Sequence, residues 1–137
     1  MWRALSSGMD AASTTETLTE FFDRYGTALT AGDLPAIADC YAMPGLVVAD
    51  ETTFSFSTPS AVETAFHGAA ETYHSKGLVA ARADVNEIDW LTKTLVLVSV
   101  TWEYLDAQGG AVAGESYRYL MRVIDDRPAI CVVVPTG

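Results

Sequence analysis

The sequence predicts an α+β domain with its helices first and its sheet second, and three observations carry that prediction. Apolar residues recur at helical spacing through the first half of the chain, the period changes to two after Gly77, and Gly and Pro mark the joints. A run of helices followed by a run of strands packs as helices on one face of a curved antiparallel sheet.

The first helix is announced by Ser13 and Glu16 at capping-box spacing, followed by Leu18, Phe21, Phe22, Tyr25 and Leu29 on one apolar face. Residues 1–12 read as a loosely ordered extension, with Met9 as well as Met1 a candidate start, and residues 13–137 as a single domain. Gly32 suits the left-handed residue after a helix, Asp33 caps the next helix, and Pro35 falls in its first turn. Leu34, Ile37 and Tyr41 give that second helix a narrow apolar stripe before Pro44-Gly45 breaks it. LVVAD (46–50) and TFSFS (53–57) read as a short strand pair turning at Asp50-Glu51. Thr58-Pro59 opens a third helix, with Val62, Ala65, Phe66, Ala69 and Tyr73 at helical spacing and Gly77 at its end. Four strands follow, at 78–88, 94–105, 115–124 and 129–134, joined by turn signals at 106–110 and 125–128.

Two of those strands, LVLVSV and AICVVV, are apolar at consecutive positions rather than alternating. Such runs imply burial of both faces, and the helices cover only one. The expectation is a homodimer in which the other face packs on a second copy.

Composition excludes several classes. Half of the 137 residues are hydrophobic and 19% are charged, unlike a disordered chain. Eighteen acids against eight bases give a net charge of -10, and the bases are scattered. Clustered cations are what phosphate backbones and anionic membranes require, so nucleic acid and membrane surfaces are not expected partners. No stretch resembles a signal peptide or a membrane span, and a cytoplasmic location is expected. Cys40 and Cys131 lie far apart without ligand spacing and read as reduced thiols. The sequence has no Gly-rich phosphate loop, nucleophile elbow, zinc-type cluster or dinucleotide fingerprint, so no cofactor and no metal are expected.

Helix, AGDL, short helix, LVV strand, third helix and four long strands together resemble the NTF2-like superfamily, the cystatin-like α+β cone. The resemblance covers residues 14–135, and RYGTALTAGDLPAIADCYA is its most specific piece. Within the superfamily the chain is most similar to the ketosteroid isomerase and polyketide-cyclase-like (SnoaL-like) branch. That resemblance implies a largely apolar cavity enclosed between helices and sheet, and dimerisation through the sheet. It places an oxyanion-donating tyrosine on Tyr25 and the donor of the third long strand on Tyr119. It places the aspartate base on Ala49, whose methyl group cannot abstract a proton. The adjacent Asp50 points to the opposite strand face unless a bulge turns it.

The residues support more than one reading. Tyr25 is either a core tyrosine with a satisfied hydroxyl or a donor to a ligand carbonyl. Tyr119 shares a strand face with Tyr117, Met121 and Val123, and Trp102 shares one with Val98 and Val100. A ligand-binding wall would thus comprise Tyr25, Val98, Val100, Trp102, Tyr117 and Tyr119, around a small apolar molecule with one polar end. Packing alone is the other reading of Trp102. His67 and His74 lie roughly 10.5 Å apart along a helix axis, too far to share a metal, and read as a solvated face. Three functions remain: ligand binding without turnover; a lyase, isomerase or cyclase whose base is Asp50 or His67; and a pure interaction module with a collapsed cavity. The missing carboxylate at Ala49 favours the first over the second.

Overall fold

The structure is a computed structural model that describes the backbone from Trp2 to Gly137 and the side chains from Thr15 onward. The segment 1–12, expected as a loosely ordered extension, lies outside the described side chains. Helix α1 (Trp2–Ala31) does not begin at Ser13, as the capping-box spacing predicts, but continues through it. Its apolar face is the expected one, with Leu18, Phe21, Phe22, Tyr25 and Leu29 all buried. Gly32 follows at φ 71, the left-handed conformation that a glycine adopts without steric cost.

Helix α2 (Leu34–Asp39) is capped by Asp33, whose carboxylate accepts from the Ala36 N–H, and carries Pro35 in its first turn. It is shorter than its apolar stripe suggested. Tyr41 opens strand β1 (Tyr41–Val48) instead of extending α2, because its backbone pairs with Ile130 at the far end of the chain. Strand β2 (Thr53–Phe56) returns antiparallel to β1 after a bend that holds Asp50 and Glu51.

The predicted third helix is two. Helix α3 (Pro59–Phe66), capped by the Thr58 hydroxyl, ends at His67, and α4 (Ala69–Ser75) restarts after Gly68 at φ 88. His74 ties α4 to α1, its Nε2–H donating to the Thr30 carbonyl at 2.8 Å.

Strands β3 (Leu78–Trp90), β4 (Leu95–Asp106), β5 (Ala111–Ile124) and β6 (Arg127–Pro135) form the meander read from the period-two pattern. The six strands order as β2-β1-β6-β5-β4-β3. All pairs are antiparallel except β1 with β6, which run parallel. Register shifts interrupt β3 between Val85 and Glu87, β5 between Ala113 and Ser116, and the β5–β6 ladder at Cys131. Bulges of this kind bend a sheet, here around the helices. The β5–β6 hairpin turns on Asp125 and Asp126, both at positive φ (52 and 61), as a two-residue turn of the type that suits strand twist.

The core lies between α1 and the inner face of the sheet. On β4 the residues Val96, Val98, Val100, Trp102 and Tyr104 point inward and are buried, while the alternate residues are half-exposed. Gly26 sets how closely α1 approaches the sheet. A Cβ there would lie 2.9 Å from the Ala81 carbonyl oxygen and 2.9 Å from Trp102 Cζ3. Gly26→Ala should therefore destabilise the fold despite the ~1 kcal/mol that alanine gains as a helix former, since overpacking against fixed backbone costs about 1–3 kcal/mol. Chemical denaturation should give a lower midpoint for Gly26→Ala than for wild type; an unchanged or higher midpoint would show that α1 does not sit this close.

Candidate functional site

The inner end of the cone is built from rings. Phe21, Phe22 and Tyr25 of α1 face Trp102 and Tyr119 of the sheet, with Tyr41 of β1 closing the side. The Phe22 and Tyr119 centroids lie 4.9 Å apart, Tyr25 and Trp102 6.0 Å, and Tyr25 and Tyr119 6.4 Å. These rings thus touch one another across the core. Phe56 and Phe66 extend the cluster beyond Tyr41, at 5.5 Å and 6.1 Å.

Two hydrogen bonds satisfy the polar atoms inside it. One of the Tyr25 and Tyr41 hydroxyls donates to the other at 2.6 Å. Trp102 Nε1–H donates to the Tyr119 hydroxyl at 3.0 Å. Three phenols and one indole bring four protons, and these two bonds use two of them. No carboxylate or main-chain carbonyl among the described residues accepts from the remaining two, so the cluster is rich in donors. Burial raises the pKa of Tyr25, Tyr41 and Tyr119 well above that of free tyrosine, so they stay neutral and able to donate. The neighbouring phenols push Tyr25 further in the same direction.

Strand β5 carries this chemistry outward. Along its inner face Met121 and Tyr119 are buried, Tyr117 is half-buried and Glu115 is exposed, so the face runs from core to rim. Tyr117 stands 5.7 Å from Tyr119. At the rim Tyr104 donates to Glu115 Oε1 at 2.8 Å, and its ring lies 5.2 Å from that of Tyr73 on α4. The Tyr104 ring crosses over Gly114, where a Cβ would come within 2.5 Å of it. Burial, then the contacts with Tyr73 and Glu115, raise the Tyr104 pKa, and burial followed by the Glu115 charge raises that of Tyr117. All six tyrosines of the chain belong to this inner and rim array.

Every predicted wall residue lies on this inner face: Val98, Val100, Trp102, Tyr119 and Tyr25 in the core, Tyr117 toward the rim. The two candidate bases do not join them. Asp50 is exposed in the bend between β1 and β2, where Ala49 N–H bonds the Thr52 carbonyl, and His67 is exposed at the end of α3. Sequence reasoning missed Tyr41, the hydroxyl partner of Tyr25, and Glu115, the carboxylate bonded to a cone phenol. The second was legible, since ESYRYLM puts Glu115, Tyr117, Tyr119 and Met121 on one strand face. No group of three or more metal-ligating side chains occurs among the described residues. Cys40 is buried and its thiol pKa is pushed up to about 11 by burial, with Arg24 opposing. Clefts on the exterior include one of about 310 Å³ between α1 and α2 and one of about 600 Å³ beside the β5–β6 hairpin.

A family model described as an NTF2-like protein (DUF6841) matches residues 15–137. No curated protein matches the chain. Among solved structures, an NTF2-like protein of unknown function from Shewanella oneidensis is 16% identical, with a TM-score of 0.65 over 90% of this chain and 98% of that one. An NTF2-like protein with a cystatin-like fold from Novosphingobium aromaticivorans is 12% identical, with a TM-score of 0.68 over 96% and 86%. A putative calcium/calmodulin-dependent protein kinase II association domain from Xanthomonas campestris is 16% identical, with a TM-score of 0.56 over 85% and 81%. Likeness at these identities establishes the shared fold.

The raised phenol pKa values make a prediction about alkaline stability. A group whose folded pKa exceeds its unfolded value, here the ordinary 10.0 of tyrosine, stabilises the fold fully below pH 10 and loses that contribution as pH climbs toward the folded value. Tyrosinate absorbance should therefore rise together with loss of tertiary structure above pH 10. Full ionisation near pH 10 with the fold intact would contradict the burial described.

Proposed function

The chain belongs to the family of NTF2-like proteins (DUF6841), and within it we propose that this domain binds a small, largely apolar molecule whose oxygen acceptor meets the inner phenols. The observation that carries this reading is the proton surplus at Tyr25, Tyr41, Tyr119 and Trp102. A carbonyl or ether oxygen is the complement of neutral donors held in an apolar wall. Because the rings already touch, entry requires one of them to swing aside; Phe66 and Tyr117, half-buried at the edge of the cluster, are best placed to do so.

A reaction is the second reading, and Glu115 favours it. General acid or base catalysis needs a titratable group within reach of the substrate. Glu115 is the carboxylate that a cone phenol holds, through Tyr104. It fits the role of a base other than the family aspartate better than Asp50 or His67, which lie exposed on other elements.

A homodimer formed through the outer sheet face belongs to the same proposal. Register aligns Leu97, Leu120, Val132 and Leu46 as an apolar row across four strands on the face away from the helices. Arg118 on β5 lies to one side of β4, with Asp84, Glu87 and Asp89 on β3 to the other. A twofold axis in that face, parallel to the strands, brings the arginine of one copy over the acids of the next. The association domain from Xanthomonas campestris has the same fold, which supports this use of it.

Native mass spectrometry of the chain expressed in its own host reads both parts together. The expected mass is that of two 14.7 kDa chains plus a small molecule that is lost in a Tyr25→Phe/Tyr119→Phe variant. A ligand-free wild type would overturn the binding reading, and a monomer the assembly.

A further inference from the structure

The cleft beside the β5–β6 hairpin is a second feature of the fold, separate from the cone. Its lining is Ala42, Arg122, Ile124, Asp125, Arg127 and Ala129, around about 600 Å³. The register between β1 and β6 is interrupted beside it. Between its pairings Tyr41↔Ile130 and Leu46↔Val132, β1 advances five residues while β6 advances two. The outer face of the hairpin is left uncovered next to Ala42, and bulges of this kind recur beside binding sites.

The hairpin register fills that gap with charge. Arg122 pairs with Ala129 and Ile124 with Arg127. The two arginines are therefore diagonal neighbours on one sheet face, about 7–8 Å apart with their Cβ atoms somewhat closer, close enough for both guanidinium groups to reach one oxyanion. Neither makes a hydrogen bond or ion pair with any described residue, whereas Arg82 is paired with Glu103. Two of the chain's eight cations thus stand unpaired in one cleft of a protein with net charge -10. Ala42, Ile124 and Ala129 supply an apolar floor beneath them.

We propose that this cleft binds a small monocarboxylate with an apolar body. The charged residues that line the cleft, two guanidinium groups and the Asp125 carboxylate, sum to +1, which a monoanion neutralises and a dianion exceeds. Planar carboxylate is also the partner that arginine grips through paired N–H bonds. The apolar floor takes the rest of the molecule.

The test uses the ¹⁵N-labelled full chain, in whatever association state it adopts, titrated with 2-naphthoate. Saturable amide shifts are expected at Ala42 and over residues 122–129. They should weaken at least tenfold in an Arg122→Gln/Arg127→Gln variant, whose exposed substitutions leave the core untouched, and at least tenfold with neutral 2-naphthamide. Naphthyl phosphate should bind wild type more weakly than naphthoate does. It should gain in Asp125→Asn, since asparagine tolerates the positive φ of 52 at that position. Absence of shifts at millimolar naphthoate, shifts that survive in the double variant, or equal binding of the amide would each overturn the proposal. Tighter binding of the phosphate by wild type would overturn its assignment to a monoanion. The cone and its phenols take no part, so these results are independent of the ligand-binding reading proposed above.

Discussion

The structure turns on the point where α1 crosses the sheet. Gly26 allows the helix to lie against Trp102 and the Ala81 carbonyl, and that approach puts Tyr25 beside Tyr41, Trp102 and Tyr119, with no carboxylate of the described residues bonded to any of them. Each polar atom there has to find its partner among the others. The result is a pair of bonds, phenol to phenol and indole to phenol, that join α1 to β1 and β4 to β5. Packing and polarity are settled by the same few side chains, so a change in either is felt by both.

The same constraint shapes what the domain offers a ligand. A cluster made only of phenols and an indole holds more protons than it uses, and burial keeps those phenols neutral. Such a wall has donors to spare. A carboxylate acceptor appears further out on β5, where Glu115 meets Tyr104. The polarity along one strand face thus changes from donor inside to acceptor at the rim. No carboxylate among the described residues bonds the inner phenols, so the inner end of the cone is without a base.

Much of this was legible in the sequence, for reasons that differ by element. The apolar face of α1 and the inward set Val98, Val100 and Trp102 follow from local periodicity, which tertiary contacts reinforce here. Tyr41 was misread because α2 is short and its stripe continues by chance into β1; the residue is claimed by a parallel pairing with Ile130, 89 positions away by subtraction of the residue numbers. Local pattern carries no trace of such a pairing, so the hydroxyl partner of Tyr25 was missed with it. The predicted third helix ran unbroken from Thr58-Pro59 to Gly77, and the positive φ of Gly68 splits it. Glu115 was visible by alternation and was overlooked. The two-arginine cleft was beyond reach, because it depends on the register of one hairpin and on a bulge in a strand far from it in sequence.

A double-mutant cycle on Tyr25 and Tyr41 tests the central claim most directly. If the two hydroxyls are each other's partner, either single change to phenylalanine strands a buried hydroxyl and costs about 1–3 kcal/mol, whereas removing both is nearly neutral. Equilibrium unfolding should therefore find Tyr25→Phe/Tyr41→Phe more stable than at least one of its single variants. Strictly additive losses would contradict the pairing and the donor-rich interior built on it.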